Sequence, residues 1–401
     1  MDGTGADPQG AVQDGFARDL SRYREEFPVL AERNYLISAS LGPLSRRSRA
    51  LAEQHLDLWA RLGPEELWID HGLPMLQRCR ESFARLIGAD ADEVAIVPSV
   101  SSGLSSLMSC FDLSARSKIV GSAMDFPTNH YVYRAGERRG LKLEVVPTPD
   151  GIRVDEADLI ERIDEQTLLV NTNRSLFESS WLMDLPPIVE AARAAGAYVL
   201  VDDFHGSGVV PIDVHELGID FLLSGALKWL LGGQGIAFLY CRRDLVERMD
   251  PLVVGWFGTK DPFAFDRSGL ALRDDARRFE TGTYAMPQAF TAAGGLEIIH
   301  EVGVETIRAR NQELTSRIVE RADQAGLEVL TPRDPERRGG LVRLRVPGGP
   351  DAAERVLHRL FERDVVVDQR DDALRISPHF FNDEEDIERC FEVLDTAIRP
   401  A

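Results

Sequence analysis

Lys228 lies in Asp220-Phe-Leu-Leu-Ser-Gly-Ala-Leu-Lys228-Trp-Leu-Leu-Gly-Gly-Gln-Gly235, and Asp202 closes an earlier apolar run, Tyr198-Val-Leu-Val-Asp202. A lone lysine after a strand is most often a solvated surface group. Lys228 is flanked by Leu227, Trp229, Leu230 and Leu231, where an ammonium group is costly without a task. A lysine amine can form a Schiff base with an aldehyde, and a carboxylate at a strand end can keep a pyridine nitrogen protonated. The two together predict pyridoxal 5'-phosphate as cofactor, with Lys228 and Asp202 as catalytic residues. Asp203 competes for the pyridine role, but Asp202 terminates the strand. His205, in Val201-Asp-Asp-Phe-His-Gly206, reads either as an ordinary loop histidine or as a group that orients or relays a proton beside the cofactor. It is assigned to the catalytic set.

Further residues fit the same chemistry. Val97-Pro-Ser-Val-Ser-Ser-Gly103 turns from a strand into an apolar helix. Free N–H groups and the positive dipole end there suit a phosphate, with Ser101, Ser102 and Gly103 as contacts, although serine N-caps are common in any helix. Phe126, in Asp125-Phe-Pro-Thr-Asn-His-Tyr131, can stack on a planar ring, whereas an isolated Phe there would more often be core. Ser224 is counted with the cofactor contacts, and Ser40 and Ser180 with the substrate contacts. Arg375 is a lone arginine inside the apolar run Leu374-Arg-Ile-Ser377. Its fork suits an amino-acid carboxylate, and a structural salt bridge is the competing reading.

Elements that position these residues follow from the pattern. Glu93–Val97, Lys118–Val120, Leu143–Val146, Thr167–Val170, Tyr198–Val201, Phe221–Leu223 and Ile236–Tyr240 read as buried strands. Helical stretches separate them, including Pro186–Gly196 with proline at its start and glycine at its end. This alternation predicts an α/β fold, a mostly parallel sheet sandwiched by helices, with ligands at the carboxyl ends of the strands. The expected organisation is an N-terminal tail and arm over 1–40, a large cofactor-binding domain over 41–286 and a smaller α+β domain over 287–401. A continuous helical pattern opens the last part, from Ala289 to Ala325, and 332–340 reads as a charged, solvated loop.

With 401 residues, 44% hydrophobic and 28% charged, the protein has the composition of an ordinary globular one. A net charge of -20 argues against nucleic acid and anionic membrane as partners. Cys79, Cys110, Cys241 and Cys390 show no metal or disulfide spacing. The first thirteen residues read as a loose polar tail without a signal-peptide pattern, and no run approaches a membrane span. A cytoplasmic location is expected by default.

These blocks together resemble the class V branch of fold-type I pyridoxal-phosphate enzymes, which includes cysteine desulfurases, transaminases, epimerases and kynureninases. The similarity runs from Asn34-Tyr-Leu-Ile-Ser-Ala-Ser-Leu-Gly-Pro43 to the last helix. Asp125-Phe-Pro-Thr-Asn, Gly255-Trp-Phe-Gly258, and Arg370 followed by Leu374-Arg-Ile-Ser-Pro look nearest to kynureninases, while Arg278-Phe-Glu-Thr-Gly-Thr283 is shared more widely. The resemblance implies that Lys228 carries the cofactor, Asp202 pairs with its ring nitrogen, Phe126 stacks on the ring and Arg375 grips the substrate carboxylate. It also implies that Thr283 reaches the phosphate of a neighbouring subunit, hence a homodimer with active sites at the interface.

Three departures bear on the reaction. Ala226-Leu227 replaces the Ser-Tyr that kynureninases carry before the lysine, Ala39 replaces an asparagine, and Thr259 replaces a histidine. They argue against kynurenine hydrolysis itself. No cysteine lies between Cys241 and Cys390 to serve as a desulfurase nucleophile. The reading is a lyase that acts on an amino acid or amino-acid conjugate and cleaves a C–S or C–C bond in its side chain. Amino transfer is the alternative, then epimerisation or decarboxylation, then a cofactor-free binding protein on the same fold.

Overall fold

The computed structural model describes residues 20–398; the expected tail at 1–13 lies outside them. The described part begins with a short strand, β1 (Asn34–Tyr35), and two helices, Arg46–Trp59 and Leu73–Leu86, after two short helical turns. The two are separated at Gly63-Pro64, where proline starts a new turn, and Leu67–Gly72 is a π-helical segment.

Seven strands then build one sheet: β2 (Val94–Val97), β3 (Lys118–Ser122), β4 (Lys142–Val146), β5 (Thr167–Asn173), β6 (Tyr198–Asp202), β7 (Phe221–Gly225) and β8 (Ala237–Cys241). Their order is β2-β8-β7-β6-β5-β3-β4. β4, β3, β5, β6 and β7 run parallel, and β8 is antiparallel to both its neighbours. The continuous apolar runs of the sequence are explained by cover on both faces. One face packs on the helices Leu73–Leu86, Leu185–Ala195 and Met286–Val302, through Phe83, Ile188, Ala289 and Leu296. The other packs on Val100–Ser109 through Leu104 and Leu107. This is the expected α/β architecture.

The expected continuous helix from Ala289 is two helices, Met286–Val302 and Val304–Gln324. Gly303 between them sits at φ 85, a left-handed conformation that glycine adopts without steric cost. Periodicity alone does not reveal such a break, because Ile299, Ile307 and Leu314 are buried on both sides of it. The first helix belongs to the core of the large sheet, and Leu314 and Ile318 of the second belong to a separate core. Three antiparallel strands lie over that core in the order β11-β12-β9: β9 (Val342–Arg345), β11 (Asp368–Arg370) and β12 (Ala373–Ile376). β10 (Val365–Val366) pairs parallel with β1, tying the N-terminal arm to this layer. Helices Pro350–Phe361 and Glu384–Ala397 complete it.

The segment 332–340 is only in part the solvated loop its composition suggested: residues 333–336 are exposed, but its ends are buried. Arg338 is buried, donating to the carbonyls of Pro332 and Arg333 and to Ser316 Oγ. Arg308 in turn holds the carbonyls of Pro335 and Arg338. Arginine forks satisfying backbone acceptors turn a breaker-rich charged stretch into a packed joint.

Candidate active site

β6 and β7 are parallel neighbours, so their carboxyl ends open on the same edge of the sheet, and Lys228 follows in the turn after β7. Its Nζ lies 2.7 Å from His205 Nε2. The amine also sits 4.1 Å from the ring centre of Phe204 and 5.8 Å from that of Phe126. Rings and imidazole replace water around it, and this burial lowers the lysine pKa to about 7. His205 is buried, and desolvation first, then the charge of Lys228, holds it well below the usual imidazole range and neutral. Its Nδ1 is buried and has no partner among the described residues.

The two aspartates at the end of β6 are separated by their surroundings. Asp203 takes a bidentate bond from Arg174, with Nε to Oδ1 at 2.7 Å and Nη2 to Oδ2 at 2.8 Å, plus the Ser207 hydroxyl. Asp202 accepts from the Phe204 N–H at 3.1 Å and from Asn129 Nδ2 at 3.2 Å. No salt bridge reaches it among the described residues. Burial raises its pKa, which a cation brought beside it would reverse.

Phe126 is the N-cap of the helix Pro127–Gly136 and is 42% exposed, with one edge against Phe177 at a ring-centre distance of 5.2 Å. Asp125 fixes the approach to it, accepting from the Ser122 hydroxyl and N–H and from Asn171 and Asn173. Asn129, one turn into the helix, ties this same element to Asp202. The Asp125–Asn129 block therefore carries two supports, Asp125 and Asn129, beyond the stacking residue.

Of the expected phosphate contacts, Ser101 is exposed at the start of the helix Val100–Ser109, with Oγ 3.4 Å from Thr128 Oγ1 at the start of the neighbouring helix. Two helix N-termini thus converge, and Thr128 is a polar group that sequence reasoning passed over. The Ser102 N–H is occupied by the N-cap Ser99, and the Gly103 N–H by the Ser99 carbonyl. Ser224 is buried on β7, its hydroxyl 3.5 Å from the Asp203 carbonyl. Thr283 is exposed in a groove shared with Pro98 and Gly235.

On the three-stranded layer, Arg375 is 2% exposed on β12. Its Nη1 donates to the Phe177 carbonyl at 2.6 Å, and its Nη2 to Ser40 Oγ at 2.9 Å and to Asp368. Arg375, Arg370 and Asp368 lie near enough for their charges to act on Lys228. Ser180 is buried at φ 63, and its Oγ accepts from the Leu341 N–H. Phe177, unnoticed in the sequence, links the groups: its carbonyl meets Arg375, and its ring meets Phe126 and lies 6.4 Å from His205.

These residues fit pyridoxal phosphate. A buried carboxylate without a salt bridge among the described residues, an amine near its titration point, an orphaned imidazole nitrogen, an exposed aromatic face and two helix N-termini match a cationic ring nitrogen, an aldehyde, a ring oxygen, a flat ring and a phosphate. Cys79, Cys241 and Cys390 are buried and Cys110 half-buried, with the Cys79 and Cys390 thiols pushed up to about 12, so none is poised as a nucleophile. Among the described residues, no group of side chains is arranged to bind a metal, and no helix is long and apolar enough to cross a membrane.

Comparison with known proteins bears on the same site. The chain is 30% identical to an uncharacterised aminotransferase of Bacillus subtilis, over 92% of this chain and 96% of the relative. It is 31% identical to the isopenicillin N epimerase of Streptomyces clavuligerus, over 90% and 94% of the two proteins. It is 31% identical to a kynureninase of Salinispora tropica, over 86% and 85%. Its fold matches the apo cysteine desulfurase of Thermococcus onnurineus with a TM-score of 0.83 at 22% identity, over 94% of this chain and 97% of that one. The family model for aminotransferase class-V matches residues 74–390. The chain belongs to the aminotransferase class-V family of pyridoxal-phosphate-dependent enzymes.

Proposed function

We propose that this enzyme cleaves a C–S or C–C bond in the side chain of an amino acid or amino-acid conjugate. The observation that carries the reading is the Lys228–His205 contact of 2.7 Å inside an aromatic enclosure. It supplies one amine near its titration point and one neutral imidazole, both on the same side of the site. When bound, the cofactor draws electrons from the Cα of an attached substrate amine. Asp202 holds the ring nitrogen, Phe126 covers a ring face, and Ser101 and Thr128 hold the phosphate, with Ser102 keeping the cap of that helix start in place and Thr283 reaching the phosphate of a second subunit in a homodimer. Gly103 supports the cofactor's surroundings through its N–H bond to the Ser99 carbonyl, and Ser224 through its hydroxyl, which donates to the Asp203 carbonyl.

Lys228, released from the cofactor, takes the Cα proton as general base and returns it to the side-chain leaving group, while His205 orients the amine. Arg375 grips the substrate carboxylate, with Ser40 bonded to the same Nη2. Ser180 acts on the substrate by holding the loop that presents Phe177. Two-base epimerisation needs proton carriers on opposite faces of Cα, and groups 2.7 Å apart share one face. Amino transfer is the second reading: the Bacillus subtilis relative bears that name, and a single lysine serves it equally well.

Two measurements test the proposal. Borohydride reduction of the loaded enzyme followed by peptide mapping should place the cofactor on Lys228, and Lys228→Ala should abolish the adduct; attachment to another lysine overturns the assignment. Cysteine-type and aryl-type amino-acid conjugates should release ammonia and a keto acid, with the cofactor's spectrum restored each turnover. Stoichiometric build-up of the cofactor's amine form, discharged only by added keto acid, would establish amino transfer instead.

A further inference from the structure

Arg375 does not present a free fork. Nη2 is shared by Ser40 and Asp368, Nη1 is taken by the Phe177 carbonyl, and Nε alone is without a partner among the described residues. The strand register explains why. Asp368 on β11 stands directly opposite Arg375 on β12, and Arg370 lies two residues along β11, on the same face as Asp368. Asp368 thus touches one arginine across the ladder and another along it. Its Oδ2 meets Arg375 and Ser40, and its Oδ1 accepts from Arg370 Nη1 at 2.6 Å and from the Gln369 N–H at 2.7 Å. Arg343, nearby on β9, is matched separately by Glu178 at 2.9 Å.

We infer that Asp368 occupies the carboxylate place on Arg375 until substrate arrives, and then yields it by swinging onto Arg370. The inference rests on the reading of Arg375 as the carboxylate grip. Two cations share one anion here, so the pair is one negative charge short of balance, and a single incoming carboxylate supplies it. Buried guanidinium must be matched at every stage, because it cannot shed its proton. A resident carboxylate that hands over to the ligand keeps Arg375 matched in both states. It also makes weakly binding carboxylates poor ligands, since each must compete with Asp368. Asp368 is a positioning residue acting through Arg375.

The test uses propionate, a carboxylate without an amine, titrated calorimetrically into cofactor-loaded enzyme. Asp368→Asn should bind propionate at least tenfold more tightly than the unaltered enzyme, with a smaller gain for chloride, which cannot use a two-pronged fork. Arg370→Gln should weaken propionate binding at least threefold, yet have little effect in the Asp368→Asn background. No gain with Asp368→Asn, or equal gains for propionate and chloride, overturns the inference. So does an Arg370→Gln effect of the same size in both backgrounds. If Asp368→Asn does not fold, Arg370→Gln alone decides, because it leaves the Asp368–Arg375 pair in place: unchanged propionate binding overturns the proposal. Arg375→Ala that binds propionate as well as the unaltered enzyme overturns the carboxylate-grip reading itself, a separate result.

Discussion

Lys228 and Arg375 are cations at one site, but their surroundings differ. Beyond β7, Lys228 faces two aromatic rings and a neutral imidazole, and burial lowers its pKa to about 7. On β12, Arg375 is bonded to a carboxylate, a hydroxyl and a carbonyl. The contrast follows from what each group must do. An amine that moves protons near neutral pH has to lose its charge readily, and stripping it of water achieves that even against the opposing charge of Asp202. A guanidinium keeps its proton throughout and serves only to hold a carboxylate, so its charge has to be balanced at all times. On the proposed reading, the end of the large sheet works through desolvation and the small antiparallel layer through ion pairing.

The sharpest way to break this contrast is to remove the desolvated charge. In cofactor-free protein, Lys228 titrates near 7 when folded and near 10.5 when unfolded. Below pH 7 both states carry the proton, and the folded state bears the full penalty of enclosing it. Between pH 7 and 10.5 the unfolded state binds more protons, so stability rises with pH. Lys228→Met should thus stabilise the cofactor-free protein by roughly 5 kcal/mol at pH 6, the scale of a shift of this size. The advantage should shrink toward zero by pH 10. Denaturant unfolding at both pH values checks this, and a pH-independent difference would show that Lys228 is solvated after all.

Arg375 should behave in the opposite sense. Removing it leaves Asp368 with Arg370 as its remaining cation and leaves an arriving carboxylate without its fork. Arg375→Ala should weaken substrate binding by about 2–4 kcal/mol, the scale for losing one partner of a buried charge pair. Competition against a carboxylate-bearing substrate analogue measures it. Lost cofactor with unchanged analogue affinity would show that the arginine supports the cofactor end.

How much of this was legible in the sequence divides along the same line. The clustering of Lys228, Asp202 and His205 could be read because each lies at a strand end or three residues beyond one, and strand ends on a parallel sheet share an edge. The Asp368–Arg375 pair could not, because it depends on the register between two short strands, which Asp368-Gln-Arg370 and Leu374-Arg375-Ile376 do not fix by themselves. Phe204 was equally hidden. In Asp202-Asp-Phe-His205 it passes for an apolar residue filling space, and only the folded loop lays its ring beside the amine. Ser102 and Gly103 illustrate the ambiguity of a hydroxyl-rich helix start, where the same N–H groups can serve a ligand or the cap and first turn of the helix.

Phe204 also supplies the finest test of the desolvated half. A Cβ built at Gly225 would stand 2.3 Å from the Phe204 Cζ, so the end of β7 accommodates the ring only because residue 225 has no side chain. Gly225→Ala forces that ring away from the strand, toward Lys228 or out to solvent. Overpacking of this kind costs about 1–3 kcal/mol. If the ring is also part of the amine's enclosure, its displacement should move the Lys228 titration observed in the cofactor-free protein. Replacing Phe204 with leucine in the Gly225→Ala background should recover most of the lost stability, because the two residues conflict with each other and not with the rest of the core. It should leave the titration shifted, because leucine fills space without an aromatic face. A double variant that recovers the titration along with the stability would show that bulk, and not the ring, sets the amine's environment.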